Sequence, residues 1–178
     1  HDNPVINLDD KGYIWIFSSS HGTARPSYIS RSVRPHDIDQ FQLMWSGNFS
    51  YPQPMYYPGK GFLFIHTWYV ARRGNYMMTS NPDGTAWTAR RELAYFEEGH
   101  YQISGVWGTN KTGIAFNMHP NGKGLNYRTN LYYMESDDFG ATWRSVQGEA
   151  LATPLKSKAN PALVFEYESW PRNVYIKD

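Results

Sequence analysis

Two eight-residue segments, 56 positions apart, constrain this chain more than anything else in it. The later one is complete: Ser136-Asp137-Asp138-Phe139-Gly140-Ala141-Thr142-Trp143, the pattern Ser-x-Asp-x-Gly-x-Thr-Trp. The earlier, Ser80-Asn81-Pro82-Asp83-Gly84-Thr85-Ala86-Trp87, is a degraded copy in the same frame. In such a turn the Asp side chain satisfies backbone amides, Gly takes a positive φ, and Trp packs into the neighbouring layer. The segment does no chemistry, so it speaks for architecture and not for activity.

The runs around these turns repeat as well. Segments rich in Tyr, Ile, Val, Phe and Trp are separated by turn sequences such as Asp10-Lys11-Gly12, Pro58-Gly59-Lys60-Gly61 and Asn121-Gly122-Lys123-Gly124. Helix-period patterning is scarce, which predicts an all-β chain. One unit has strands over 3–8, 13–19, 27–32 and 41–45. A second has them over 52–57, 62–69, 75–80 and 86–93. A third has them over 101–107, 113–117, 130–136 and 142–146, and a further strand covers 160–165. Four strands per unit, at a period of roughly 50–60 residues, is what a β-propeller blade requires.

The expected fold is therefore a β-propeller fragment of about 3.5 four-stranded blades, near 1–48, 49–98, 99–150 and an incomplete 151–178. Such a count cannot close a ring of about 4–8 blades, and each blade needs neighbours to bury both faces. The reading thus expects missing propeller blades of the same chain as the first partner. The strand-like sequence at both ends, His1-Asp2-Asn3 and Val174-Tyr175-Ile176, agrees with that expectation.

Composition narrows the function classes. A net charge of +1 with only 19% charged residues gives no basic stripe for nucleic acid. No apolar run is long enough for a membrane helix. There is no cysteine, so thiolate metal sites and disulfides are absent. Aromatics reach 17%, which serves blade packing first and sugar stacking second.

In the blade register, His1, Tyr51 and His100 start the innermost strands. The second strands return to the same rim and end near His21, near Tyr69 with Arg72 and Arg73, and near His119. These groups are expected around one mouth of the channel, the usual place for a propeller's ligand. His36 reads as part of a surface turn, and His66 lies mid-strand, where it could equally be inner-shell support. Imidazole can act as a base near neutral pH, phenol as an acid, and guanidinium can hold a carboxylate. That set suits β-elimination at a uronic acid. Glycoside hydrolysis would want paired carboxylates, and the rim positions supply only Asp2, which alternates away from His1.

His1-Asp2-Asn3-Pro4, Ser20-His21-Gly22, Tyr51-Pro52-Gln53-Pro54, Arg128-Thr129-Asn130-Leu131-Tyr132-Tyr133 and the Ser136–Trp143 Asp-box together resemble the BNR-4 repeat proteins. That group includes the seven-bladed ulvan lyases of polysaccharide lyase families 24 and 25. The resemblance implies His1 and His21 as base and charge neutraliser. It implies Tyr51 as acid, with Tyr57 as the alternative, and Arg73 or its neighbour Arg72 on the substrate carboxylate. Asn3, Tyr69, Arg72, His100, His119 and Arg128 are then expected to bind substrate, an anionic, ulvan-like polysaccharide. No catalytic cofactor is implied. A structural calcium or zinc ion would belong to blades outside this chain, and the location would be secreted or periplasmic. Two other readings stand beside it. One is a non-catalytic carbohydrate-binding propeller. The other is a sialidase-like glycosidase, although the Phe-Arg-Ile-Pro segment of that class is missing here.

Overall fold

A computed structural model describes residues 3–69, 73–124, 126–170 and 172–176. Among the described residues there is no helix. The first sheet contains β1 (Val5–Leu8), β2 (Ile14–Ser18), β3 (Ser27–Ser32) and β4 (Phe41–Gly47), in that spatial order and antiparallel throughout. The second contains β5 (Ser50–Tyr57), β6 (Gly61–Trp68), β7 (Gly74–Thr79) and β8 (Arg91–Ala94), again in chain order. The third runs β9 (Gln102–Trp107), β10 (Lys111–Met118), β11 (Thr129–Ser136), β12 (Trp143–Arg144) and β13 (Ala150–Leu151), with β14 (Leu163–Phe165) also paired to β11. Neighbouring strands are thus neighbours in sequence, joined by hairpins, as blades demand. Contacts divide the chain into two compact units, residues 1–71 with 76–91 and residues 72–75 with 92–178.

Alternation builds the core of the first unit. On β2 the side chains of Trp15 and Phe17 point inward while Ile14 and Ile16 take the other face. Trp15, Phe17, Ile29, Phe49, Phe62 and Phe64 form a buried cluster with Trp45, Tyr56 and Trp87 against it. Phe17 meets Phe64 with ring centroids 5.0 Å apart, and Phe62 stacks on Trp87 at 6.1 Å. Each buried Phe of this kind contributes about 1.5–3 kcal/mol by leaving water. From Gly61 to Thr67 β6 is buried on both faces, which explains its continuous apolar run Phe62-Leu63-Phe64-Ile65.

The two repeated turns reach the same shape by different atoms. In the complete one both carboxylate oxygens of Asp138 accept from the Thr142 amide, at 2.9 and 3.0 Å, and Gly140 has φ 80°. In the degraded copy, Asn81 Oδ1 accepts from the amides of Thr85 and Ala86. Pro82 stands where the complete turn has Asp138, and the neighbouring Asp83 forms an ion pair with Lys11 in the β1–β2 turn.

In the second unit Phe116 stacks on Tyr132 at 5.0 Å, and Phe96 meets Tyr132 edge-on at 5.2 Å. Here the structure departs from expectation. The segment expected to open a fourth blade instead lies along β11, pairing Leu131 with Phe165 and Tyr132 with Leu163. The reason is local: β12 is two residues long and pairs β11 only at Glu135. The rest of that edge keeps backbone groups that need partners. Ala162 accepts from the Tyr133 amide, and Asn130 Oδ1 accepts from the amides of Tyr167 and Glu168.

Candidate functional site

Three of the expected residues meet in the first unit. His21 is exposed in the β2–β3 loop, with its ring 5.9 Å from that of Tyr51 and 5.7 Å from that of Tyr69. Tyr51 is unusual: its φ is 51°, and the β5–β6 register shifts between Ser50 and Gln53. A bulky aromatic residue in the left-handed region is a genuine outlier, and a bulge re-aims the side chain it carries. The local irregularity therefore turns the Tyr51 phenol out of the ladder, beside an imidazole. An imidazole next to a phenol is a base–acid pair near neutral pH.

A second cluster lies in the other unit, around Tyr101. The guanidinium carbon of Arg128 is 4.3 Å from the Tyr101 ring centroid, and that of Arg73 is 5.8 Å from it. The ring of His119 stands at 4.9 Å, and Tyr175 covers Arg128 at 4.7 Å. Arg73 is anchored because its Nη2 donates to the Glu98 carbonyl at 2.9 Å. Its own carbonyl accepts from the His100 amide, close against Gly99. His119 is held through its backbone by Gly99 and Glu98.

The electrostatics of this cluster are one-sided. Among the described residues neither Arg73 nor Arg128 has an ion pair, and the Nε of each is buried without a hydrogen-bond partner. Both ring nitrogens of His119 are likewise buried and unpartnered. Burial, then the charges of Arg73 and Arg128, lower the His119 pKa to about 4, so its ring is neutral at pH 7. Two unpaired cations beside a neutral imidazole make a site that wants an anion.

The other expected residues fall elsewhere. His100 is 0% exposed: its Nδ1 donates to the Asn117 carbonyl at 2.9 Å, and its Nε2 accepts from the Phe96 amide. Burial lowers its pKa to about 3. With both nitrogens committed it braces the cluster and leaves no ring nitrogen free for substrate, which corrects the expectation that it binds one. The next residue, Tyr101, faces Arg73, Arg128 and His119 instead, because one step along an extended chain reverses the side chain's face. The strand-start position of Tyr101 was the available signal. Tyr57, the alternative acid, is 3% exposed at the far end of β5 from Tyr51. Asn3 is exposed just before β1. His1 and Arg72 lie outside the described residues. His66 lies within β6, buried and accepting from Arg90. Among the described residues no three His, Asp or Glu side chains form a group able to hold a metal ion.

The profile of the BNR repeat-containing family matches residues 1–173. The chain belongs to that family. No curated protein matches it. Among solved structures, this BNR repeat chain is similar to an ulvan lyase of polysaccharide lyase family 25, with TM-score 0.79 and 19% identity over 93% of the chain. It is similar also to such a lyase bound to -[GlcA(1-4)Rha3S]-, with TM-score 0.80 and 18% identity over 93% of the chain. The chain spans 46% and 45% of those two proteins, respectively. The likeness shows the fold, an all-β propeller fragment.

Proposed function

We propose that this BNR repeat chain is part of a polysaccharide lyase that cleaves an anionic, uronate-containing polysaccharide of the ulvan type by β-elimination. One observation carries the reading: Arg73 and Arg128 flank Tyr101 without any carboxylate partner among the described residues, next to the unpartnered ring of His119. Hydrolysis of a glycosidic bond calls for paired carboxylates, and this cluster offers cations instead.

In the proposed chemistry, the guanidinium of Arg73, supported by Arg128, neutralises the uronate carboxylate and so acidifies the C5 proton. An imidazole, His21 with His1 as its expected partner, takes that proton. The electron pair left at C5 forms the C4–C5 double bond as the C4–O bond breaks. The departing oxygen takes the phenolic proton of Tyr51. Tyr69 and His119 contact the sugar.

Two further parts of the reading follow. The outer face of the first sheet leaves Ile6 66%, Leu8 57% and Leu43 60% exposed, a surface suited to another blade of a longer chain. A secreted or periplasmic location matches a polymeric substrate.

The test is incubation of the full-length protein with ulvan and other uronate polymers, following the ultraviolet absorbance of the unsaturated product. Folded protein silent across that panel would overturn the reading. Reducing ends released without unsaturation would replace it with hydrolysis, and binding without turnover would replace it with a carbohydrate-binding role.

A further inference from the structure

Arg90 is a half-buried cation that forms no ion pair among the described residues. Its guanidinium carbon lies 4.8 Å from the Trp68 ring centroid and 5.4 Å from that of Trp45. Nε donates to Nε2 of the fully buried His66 at 3.1 Å, and Nη2 donates to the Asn48 carbonyl. Placing a cation here without a carboxylate costs desolvation energy, which two indole faces and two neutral acceptors offset. For packing alone an apolar residue would cost less. The arrangement calls for a reason, and the residues that Arg90 holds supply one.

Asn48 begins a short connection whose successive residues are all tied to the His21 loop. Asn48 Nδ2 donates to the Gly22 carbonyl at 2.6 Å. Ser27 Oγ donates to the Phe49 carbonyl at 2.7 Å and accepts from the Ser20 amide. Ser50 Oγ donates to the Ser20 carbonyl at 2.7 Å. The backbone on both sides of His21 is thus pinned by residues 48 and 50. The next residue is Tyr51, at its strained φ of 51°.

We infer that Arg90 is a positioning residue for the His21–Tyr51 pair, acting through the 48–50 connection. Pulling on the Asn48 carbonyl fixes one end of a segment that carries the phenol and clamps the imidazole loop. The planar fork of Arg is needed, because its donors point at His66 and Asn48 in fixed directions that a single ammonium cannot reproduce. His66 contributes as a neutral acceptor, with the proton on Nδ1 facing the Phe64 carbonyl at 3.4 Å. The role assigned to the pair rests on the proposed lyase reading. The brace itself does not.

The experiment compares Arg90→Lys and Asn48→Ala with the unsubstituted full-length protein, by hydrogen exchange of residues 19–26 and by lyase turnover. Asn48→Ala removes only the link to Gly22 and serves if Arg90→Lys does not fold. Both variants are expected to exchange about tenfold faster in that loop than the parent, with β2 and β3 unchanged. Turnover on a uronate polymer is expected to fall by up to about 100-fold with KM nearly constant, as misplacement of reacting groups predicts. Unchanged exchange at 19–26, or a uniform increase through the whole first sheet, would overturn the positioning role. If even the parent shows no turnover, the lyase reading fails while the exchange result still decides the brace.

Discussion

His119 stands edge-on to Tyr101 with ring centroids 4.9 Å apart, and neither of its ring nitrogens finds a hydrogen-bond partner among the described residues. Buried imidazoles are normally satisfied, as His66 and His100 are in this same chain. On the proposed reading, the cluster around Tyr101 is where a ligand would complete the bonding. Burial first, then the charges of Arg73 and Arg128, holds His119 neutral, and the two guanidiniums leave the cluster net positive.

An anion bound there is expected to raise the His119 pKa above its present value of about 4. Negative charge favours the imidazolium and offsets the two guanidiniums. Arg128→Gln should raise it too, by removing one opposing charge. NMR titration of the ring, with and without saturating glucuronate, reads both effects. His100 serves as the internal control, since its nitrogens are already committed. A His119 titration indifferent to glucuronate would remove the anion site.

The buried histidines make stability depend on pH in a defined window. His66 and His100, both held neutral with pKa lowered to about 3, ionise near 6.5 once unfolded. Their contribution is complete above about pH 6.5 and is lost as pH falls toward their folded values. Near pH 5 each adds a slope of about 1.4 kcal/mol per pH unit. Urea unfolding across pH 4.5 to about 7.5 should show it. His100→Gln should lower stability at neutral pH and flatten that slope by one proton. An unaltered slope would show that His100 is not the neutral group described.

The fold was legible because it rests on alternation and on turns. Strands β2, β3 and β11 lie within a residue or so of where the apolar pattern put them. The site was legible only in part. His21, Tyr51, Tyr69, Arg73, Arg128 and His119 were visible as residue types at strand ends. The choice between His100 and Tyr101 turned on a single register step, which a pattern of period two cannot resolve without the bulges and caps. Arg90 was invisible for another reason: it lies 24 residues from His66 and 42 from Asn48, and no local pattern encodes either meeting.

The degraded turn is expected to depend on its glycine as much as the complete one does. Gly84 has φ 64°, and a Cβ there would collide with the Trp15 ring in the core of the first unit. Gly59 has a similar φ of 73° but open space around it. Gly59→Ala should therefore cost only the left-handed backbone term, about 1–2 kcal/mol. Gly84→Ala should cost clearly more, because Trp15 must move as well. Equal unfolding midpoints for the two variants would refute the close approach.

Tyr51 separates strain from chemistry. Its positive φ costs on the order of 1–3 kcal/mol, which the surrounding ladder must offset. Tyr51→Phe keeps both the strain and the ring beside His21, so unfolding should change by no more than one hydrogen bond's worth, about 0.5–1.5 kcal/mol. If the phenol donates the proton to the leaving oxygen, turnover on a uronate polymer should fall by about 10²–10⁴-fold. Tyr51→Gly should show the converse on stability, with relief of the backbone strain offsetting part of the packing lost with the ring. A Tyr51→Phe protein as active as its parent would take the acid role away from Tyr51. The strained φ would then remain a feature of the bulge alone.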